Sequence, residues 1–281
     1  MSNVIAELPL ILFTALSSIS IGSYFVLALS DISLLPGLKG EKLHKRVSLI
    51  SLILLFVAFL AATFHLASPL NAIYVMNGLG RSPLTNEVLV GGLFVVLAVI
   101  YTIFVYKSYE KLPKFLSVLV ILGAIIFALF IGLAYKMETI PSWTSPISFI
   151  EIWGLMLVSG VVLTAVVAGQ FHELTDSQTN SRLRILALVG VLLAGISVLV
   201  QAMQVNTLQN GLFEGSSVVA SALPFIVLAL VLLIVSLVLF MNFSKKTNSG
   251  KALVLTCVVL GAVILTRMSF YALHMSAGLT V

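Results

Sequence analysis

The sequence predicts an all-α integral membrane protein, with eight transmembrane helices in one bundle and both termini on the outer, periplasmic side. Three observations predict it. Hydrophobic residues make up 60% of the chain and charged residues 9%, at a mean hydropathy of +1.19, which excludes a soluble globular domain. Apolar residues gather into eight runs of about 18 residues or more, long enough to cross the hydrocarbon core of a bilayer. Basic residues concentrate in every second connection.

The first span, Leu8 to Leu29, is too long for the apolar region of a signal peptide, and the earliest basic residue is Lys39, so it reads as a retained helix. The second, Val47 to Phe64, follows Lys39, Lys42, Lys45 and Arg46 and runs into His65-Leu66-Ala67-Ser68-Pro69. The third, Val88 to Tyr106, opens behind Thr85-Asn86-Glu87, with Asn86 a good N-cap. Lys107, Lys111 and Lys114 separate it from the fourth, Phe115 to Tyr135. A loop with two prolines that fix its path, Thr139-Ile140-Pro141-Ser142-Trp143-Thr144-Ser145-Pro146, leads to the fifth, Ile150 to Ala168. Arg182 and Arg184 mark the entry to the sixth, Leu183 to Val200. Lys245, Lys246 and Lys251 lie between the seventh, Val218 to Met241, and the eighth, Leu253 to Tyr271. These connections leave no room for a folded soluble domain, so residues 1–281 read as a single transmembrane domain. Catalysis on a water-soluble substrate would have to come from another polypeptide.

Odd-numbered connections hold twelve Lys and Arg residues, whereas the rest of the protein holds three: Arg81, Lys136 and Arg267. The positive-inside rule therefore places the odd connections in the cytoplasm and both termini outside. On that assignment the polar residues at the span ends are outer: Glu7, His65, Glu87, Glu151, Gln201, Gln204, Arg267, Tyr271 and His274. No span carries a charge at its middle, which speaks against an ion-coupled transporter or a proton pump. His65 and Glu87 stand at the facing ends of consecutive spans. An imidazole and a carboxylate at one depth can take protons from a hydroxyl-bearing, lipid-soluble substrate while its electrons leave by another route. Quinol fits that description.

Each of these residues also has a plainer reading. Glu87 would complement the macrodipole of its helix for about 0.3 to 1 kcal/mol, and His65 would cap the last carbonyls of its own. Glu151, at a helix start, is expected to act only on the dipole. Arg267, Tyr271 and His274, spaced by four and three residues, share one helix face and suit either the quinol site or interfacial anchoring. Arg267 is expected to balance the site's charge or to pair with Glu87. His44 and His172 read as solvated loop residues, and Trp143 and Trp153 as interfacial belt residues. Cys257, the single cysteine, reads as a small buried hydrophobe that excludes an internal disulfide.

Quinol oxidation is often paired with b-type haem between two histidines. Only His65 and His274 lie in or beside spans, so at most one such haem could be held, at the outer end. Electrons would then leave on the outer side to a cofactor of a partner, with the protons released there too.

At this point the sequence resembles a known family, the membrane anchor subunits (DmsC) of anaerobic dimethyl sulfoxide reductases. The resemblance is carried by Glu7-Leu8-Pro9-Leu10 with Phe13-Thr14, by His65-Leu66-Ala67-Ser68-Pro69, and by Asn77 and Gly80 before Leu84-Thr85-Asn86-Glu87. Ile140-Pro141-Ser142-Trp143, and Arg267 with Phe270-Tyr271-Ala272-Leu273-His274-Met275, complete it. It implies a haem-free, metal-free anchor of the bacterial inner membrane that oxidises menaquinol near the outer face, with His65 and Glu87 as the catalytic quinol-site residues. It also implies a heterotrimer for anaerobic respiration, with an iron-sulfur electron-transfer subunit and a molybdopterin catalytic subunit as partners and no nucleic acid. The anchor would not itself act on the terminal acceptor. An anchor of a polysulfide or nitrite reductase-type complex is the near alternative, and a membrane transporter the distant one.

Overall fold

The computed structural model describes residues 2–65, 69–137, 139–170, 176–209, 214–243 and 249–275. A short helix α1 (Ser2–Ala6) precedes α2 (Leu8–Asp31), α3 (Glu41–Thr63), α4 (Pro83–Ser108), α5 (Lys114–Leu133), α6 (Ile147–Gln170), α7 (Ser177–Asn206), α8 (Gly215–Met241) and α9 (Ser249–Ala272). Helices α2 to α9 are the eight expected spans, long and apolar enough to cross a membrane. The described residues contain no sheet, only an isolated bridge between Gln209 and Glu214.

Several helices outrun the apolar windows that announced them. Helix α3 begins at Glu41 rather than Val47, and α7 at Ser177, where Asp176 accepts from the backbone N–H groups of Gln178 and Thr179. Backbone hydrogen bonding continues through polar residues at the interface, so hydropathy marks the apolar core of a helix and not its ends.

Helices α2 and α6 occupy the centre, each buried nearly all round, while α3, α4, α7 and α8 expose much of their surface to lipid. The centre closes where two glycines meet. A Cβ placed on Gly22 would overlap the Met156 carbonyl oxygen, and one on Gly160 would overlap the Gly22 carbonyl carbon. In lipid, helices associate by such close backbone packing and by interhelical hydrogen bonds rather than by a hydrophobic drive. Ser20 donates to the Ser51 carbonyl at 2.7 Å and Tyr24 to the Ser48 carbonyl at 2.9 Å, joining α2 to α3. Ser148 donates to the Gly132 carbonyl at 3.0 Å, joining α6 to α5.

Four expectations are corrected here. His44 is fully buried rather than solvated, with Nε2 3.0 Å from Asp31 Oδ1 and Nδ1 2.9 Å from the Gly40 carbonyl. Helix α3 starts before His44 and turns it against α2. Trp143 is buried, not in an interfacial belt, because its loop folds onto the end of α9 and stacks the indole on Phe270 at 5.2 Å. Trp153 is partly buried and donates Nε1 to the Ile125 carbonyl at 3.1 Å. Cys257 is exposed, since it lies on the outward side of α9. His172 lies outside the described residues, as do Leu66, Ala67 and Ser68.

Candidate functional site

Helices α3 and α4 bring His65 and Glu87 to one cleft. Helix α4 is capped by Ser82, which accepts from Thr85 N at 3.4 Å, with Pro83 in the first turn. Asn86 is therefore not the N-cap. Its Oδ1 instead accepts from Gly80 N at 2.9 Å, across a turn that Gly80 permits with φ 77°. Thr85 donates to the Val75 carbonyl at 2.8 Å, fastening the preceding segment over the helix start. This capping moves Glu87 beyond the first turn, where the macrodipole acts most strongly, and its side chain is buried. A purely dipolar role for Glu87 loses its geometric basis.

The cleft is about 160 Å³, walled by Leu10 and Phe13 of α2, Phe59 and Ala62 of α3, and Leu84 and Val88 of α4, with His65 and Glu87 among its lining residues. Glu87 is 3% exposed, and its Oε1 has no hydrogen-bond partner among the described residues. An unsatisfied carboxylate oxygen in apolar surroundings is costly, and a hydroxyl-bearing ligand would satisfy it. His65 sits at the rim with its side chain 41% exposed, and its Nδ1 lies 3.8 Å from Glu7 Oε2.

Arg267 and Tyr271 stand behind the cleft rather than in it. Arg267 is fully buried and donates to Glu151 Oε1 at 2.5 Å and to Thr14 Oγ1 at 2.9 Å. Its guanidinium lies 4.3 Å from the Phe270 ring centre, with Tyr135 and Tyr271 each at 5.4 Å. The expected pairing of Arg267 with Glu87 is thus replaced by an ion pair with Glu151, which joins α9 to α6 and α2. Glu151 is accordingly a buried ion-pair partner and not simply a helix-start charge. Arg267 still acts on Glu87 through space, and Glu87 on Tyr135 and Tyr271, so this cluster sets the electrostatic background of the cleft. The tyrosine hydroxyls meet at 2.5 Å.

His274 follows the end of α9, half-buried with its ring 5.0 Å from Trp143. Burial holds its imidazole below the ordinary range, and the charge of Glu7 opposes that shift. Met275 N donates to Ser142 Oγ at 2.9 Å, tying the end of α9 to the loop of Pro141 and Trp143. Sequence reasoning did not single out Glu7 and Tyr135 for the site. Glu7 was visible as an outer carboxylate at a span end, whereas nothing in the sequence marked Tyr135. Among the described residues there is no cluster of three or more His, Cys, Asp or Glu side chains able to hold a metal ion.

Residues 1–273 match the family described as DMSO reductase anchor subunit (DmsC). The protein belongs to that family. It is similar to the C subunit of the anaerobic dimethyl sulfoxide reductase of Haemophilus influenzae, 26% identical over 290 residues that cover 100% of this protein and 99% of the relative. The YnfH subunit of an anaerobic dimethyl sulfoxide reductase of Escherichia coli is 25% identical, over 100% of this protein and 99% of its own length. The C subunit of an anaerobic dimethyl sulfoxide reductase of Escherichia coli is 24% identical, over 98% of this protein and 97% of its own length. DmsC membership makes this a multi-pass inner-membrane protein, the embedded anchor subunit of a quinol-linked oxidoreductase complex.

Proposed function

We propose that residues 1–281 form one eight-helix anchor domain that oxidises menaquinol at the cleft of His65 and Glu87. The observation that carries this is the buried, unpartnered Oε1 of Glu87 in an apolar cleft. With both termini on the periplasmic side, as the basic residues argue, the cleft lies near the outer face. The flat head group enters from the lipid while its isoprenoid tail stays outside, which suits a cleft smaller than the roughly 300 Å³ of a drug-sized site. One quinol hydroxyl donates to Glu87 and the other to His65, and each group takes a proton as general base. Two O–H bonds break, quinone forms, and two electrons pass to an iron-sulfur cluster of a partner subunit, then to a molybdopterin subunit that reduces dimethyl sulfoxide or a related oxide. Proton release on the same side makes the step itself non-electrogenic.

Arg267, Tyr271 and His274 support this site from behind without touching the head group. The outer segments Pro69 to Asn86 and Ile140 to Phe149 supply much of the dock for the iron-sulfur subunit, completing a heterotrimer for anaerobic electron transport.

Glu87→Gln tests the reading. The assembled complex should form normally and lose menaquinol oxidation by about 100-fold or more, the scale of a general base. Normal turnover in this variant would overturn it.

A further inference from the structure

Glu7 has no part in the mechanism above, yet its side chain is placed for one. It occupies the N-cap position of α2, where an acidic side chain ordinarily bonds the free N–H groups of the first turn. Its carboxylate makes no such bond, and only its backbone serves the helix, the carbonyl accepting from Ile11 N at 2.9 Å. The carboxylate instead approaches the end of α3, bringing Oε2 to 3.8 Å from His65 Nδ1. Its charge also reaches His274 beyond the end of α9. His65 and His274 are thus both ionisable neighbours of Glu7.

Exposure sets a direction along these groups. Glu87 is 3% exposed, whereas the side chains of His65 and Glu7 are 41% and 32% exposed. A proton that reaches His65 from the cleft has Glu7 as its neighbour and water beyond. An imidazole can take a proton on one ring nitrogen and release one from the other. The 3.8 Å gap is longer than a direct hydrogen bond, and a bridging water or a small side-chain rotation closes it.

We propose that Glu7 is the proton-exit carboxylate of the quinol site, taking from His65 Nδ1 the equivalent of the proton that His65 receives from the quinol and delivering it to outer water. This rests on the cleft being the quinol site. The quinol O–H bond breaks as an N–H bond forms on His65 Nε2. The Nδ1–H bond then breaks as an O–H bond forms on Glu7 Oε2, and water removes that proton. The electrons travel separately to the partner's iron-sulfur cluster, and Glu7 ends as it began.

Glu7→Gln and Glu7→Asp in the assembled, membrane-bound complex test the proposal, with a soluble menaquinol analogue as substrate in H2O and D2O. Glu7→Gln should lower turnover by about tenfold, less than loss of a direct acid-base group, with KM unchanged and a larger solvent isotope effect. Added imidazole or formate, as a mobile proton carrier, should restore much of that loss, and Glu7→Asp should retain most activity. Wild-type turnover and isotope effect in Glu7→Gln would overturn the proposal, as would a loss that buffer does not relieve or that Glu7→Asp shares in full. If Glu87→Gln is inactive while Glu7→Gln is normal, only the exit role fails. If Glu87→Gln is itself normal, the quinol-site reading fails first.

Discussion

The two ends of the bundle each bury a carboxylate near tyrosines, but they treat it in opposite ways. At the lysine-rich end, Asp31 Oδ2 accepts from Tyr101 at 2.7 Å and from Ser117 at 2.8 Å, and Oδ1 lies 3.0 Å from His44. Helices α2, α3, α4 and α5 meet at this carboxylate, whose Oδ2 takes two hydroxyl donors and whose Oδ1 faces an imidazole. At the other end, Arg267 is paired with Glu151 through one oxygen only, leaving Glu151 Oε2 and Arg267 Nη2 unmet among the described residues, and Glu87 Oε1, at the cleft, is likewise unmet. Burial of a charge therefore does not mark a reactive site by itself. What separates the ends is whether the carboxylate's lone pairs are already used, since a satisfied network is rigid and an unsatisfied one can take a ligand.

The sharpest way to break this comparison is to neutralise each carboxylate in turn. Glu87→Gln should abolish menaquinol oxidation with little change in thermal stability. Asp31→Asn should leave turnover per assembled complex within about twofold while lowering the unfolding temperature, because donors lose a charged acceptor. Equal activity losses in the two variants would erase the distinction.

Next in size is the buried ion pair. Arg267→Met leaves Glu151 without its counter-charge and should cost about 3 to 5 kcal/mol, read as lost assembly or a lower unfolding temperature in detergent. Arg267→Met combined with Glu151→Leu should recover most of it. At the central crossing, Gly160→Ala forces a methyl group into the α2 backbone and should cost about 1 to 3 kcal/mol by the same measurement. Tyr101→Phe removes one of the two donors to Asp31 Oδ2 and should cost about 1 kcal/mol.

The smallest effect is at the helix cap of α7. Hydrogen bonds from Thr179 hold the Asp176 carboxyl below its ordinary range. A depressed folded pKa contributes stability that is present above the unfolded value and is lost as pH falls through the folded one. Asp176→Ala should therefore flatten the acid limb of the unfolding temperature against pH and leave the neutral limb nearly parallel to the wild type.

That His65 and Glu87 come to one cleft was legible because each stands at the end of an apolar run, so their common depth followed from counting residues. The plainer readings of Glu87 and Glu151 failed for one shared reason. Both residues lie past the first turn of their helices, at places that capping chemistry and not hydropathy decides. The spacing of Arg267 and Tyr271 correctly put them on one face. It could not say that the face meets Glu151 on α6, because α6 is apolar on nearly every side and its rotation leaves no trace in its pattern.

The sequence by itself determined the eight spans, the ends at which charges collect, and the family, because water-lipid partitioning and the asymmetry of basic residues act on each segment alone. The tertiary structure decided which polar groups meet: Arg267 with Glu151, His44 with Asp31, and Glu7 with His65. Those choices depend on helix rotation and neighbours, which close contacts between small residues such as Gly22 and Gly160 settle once the helices pack.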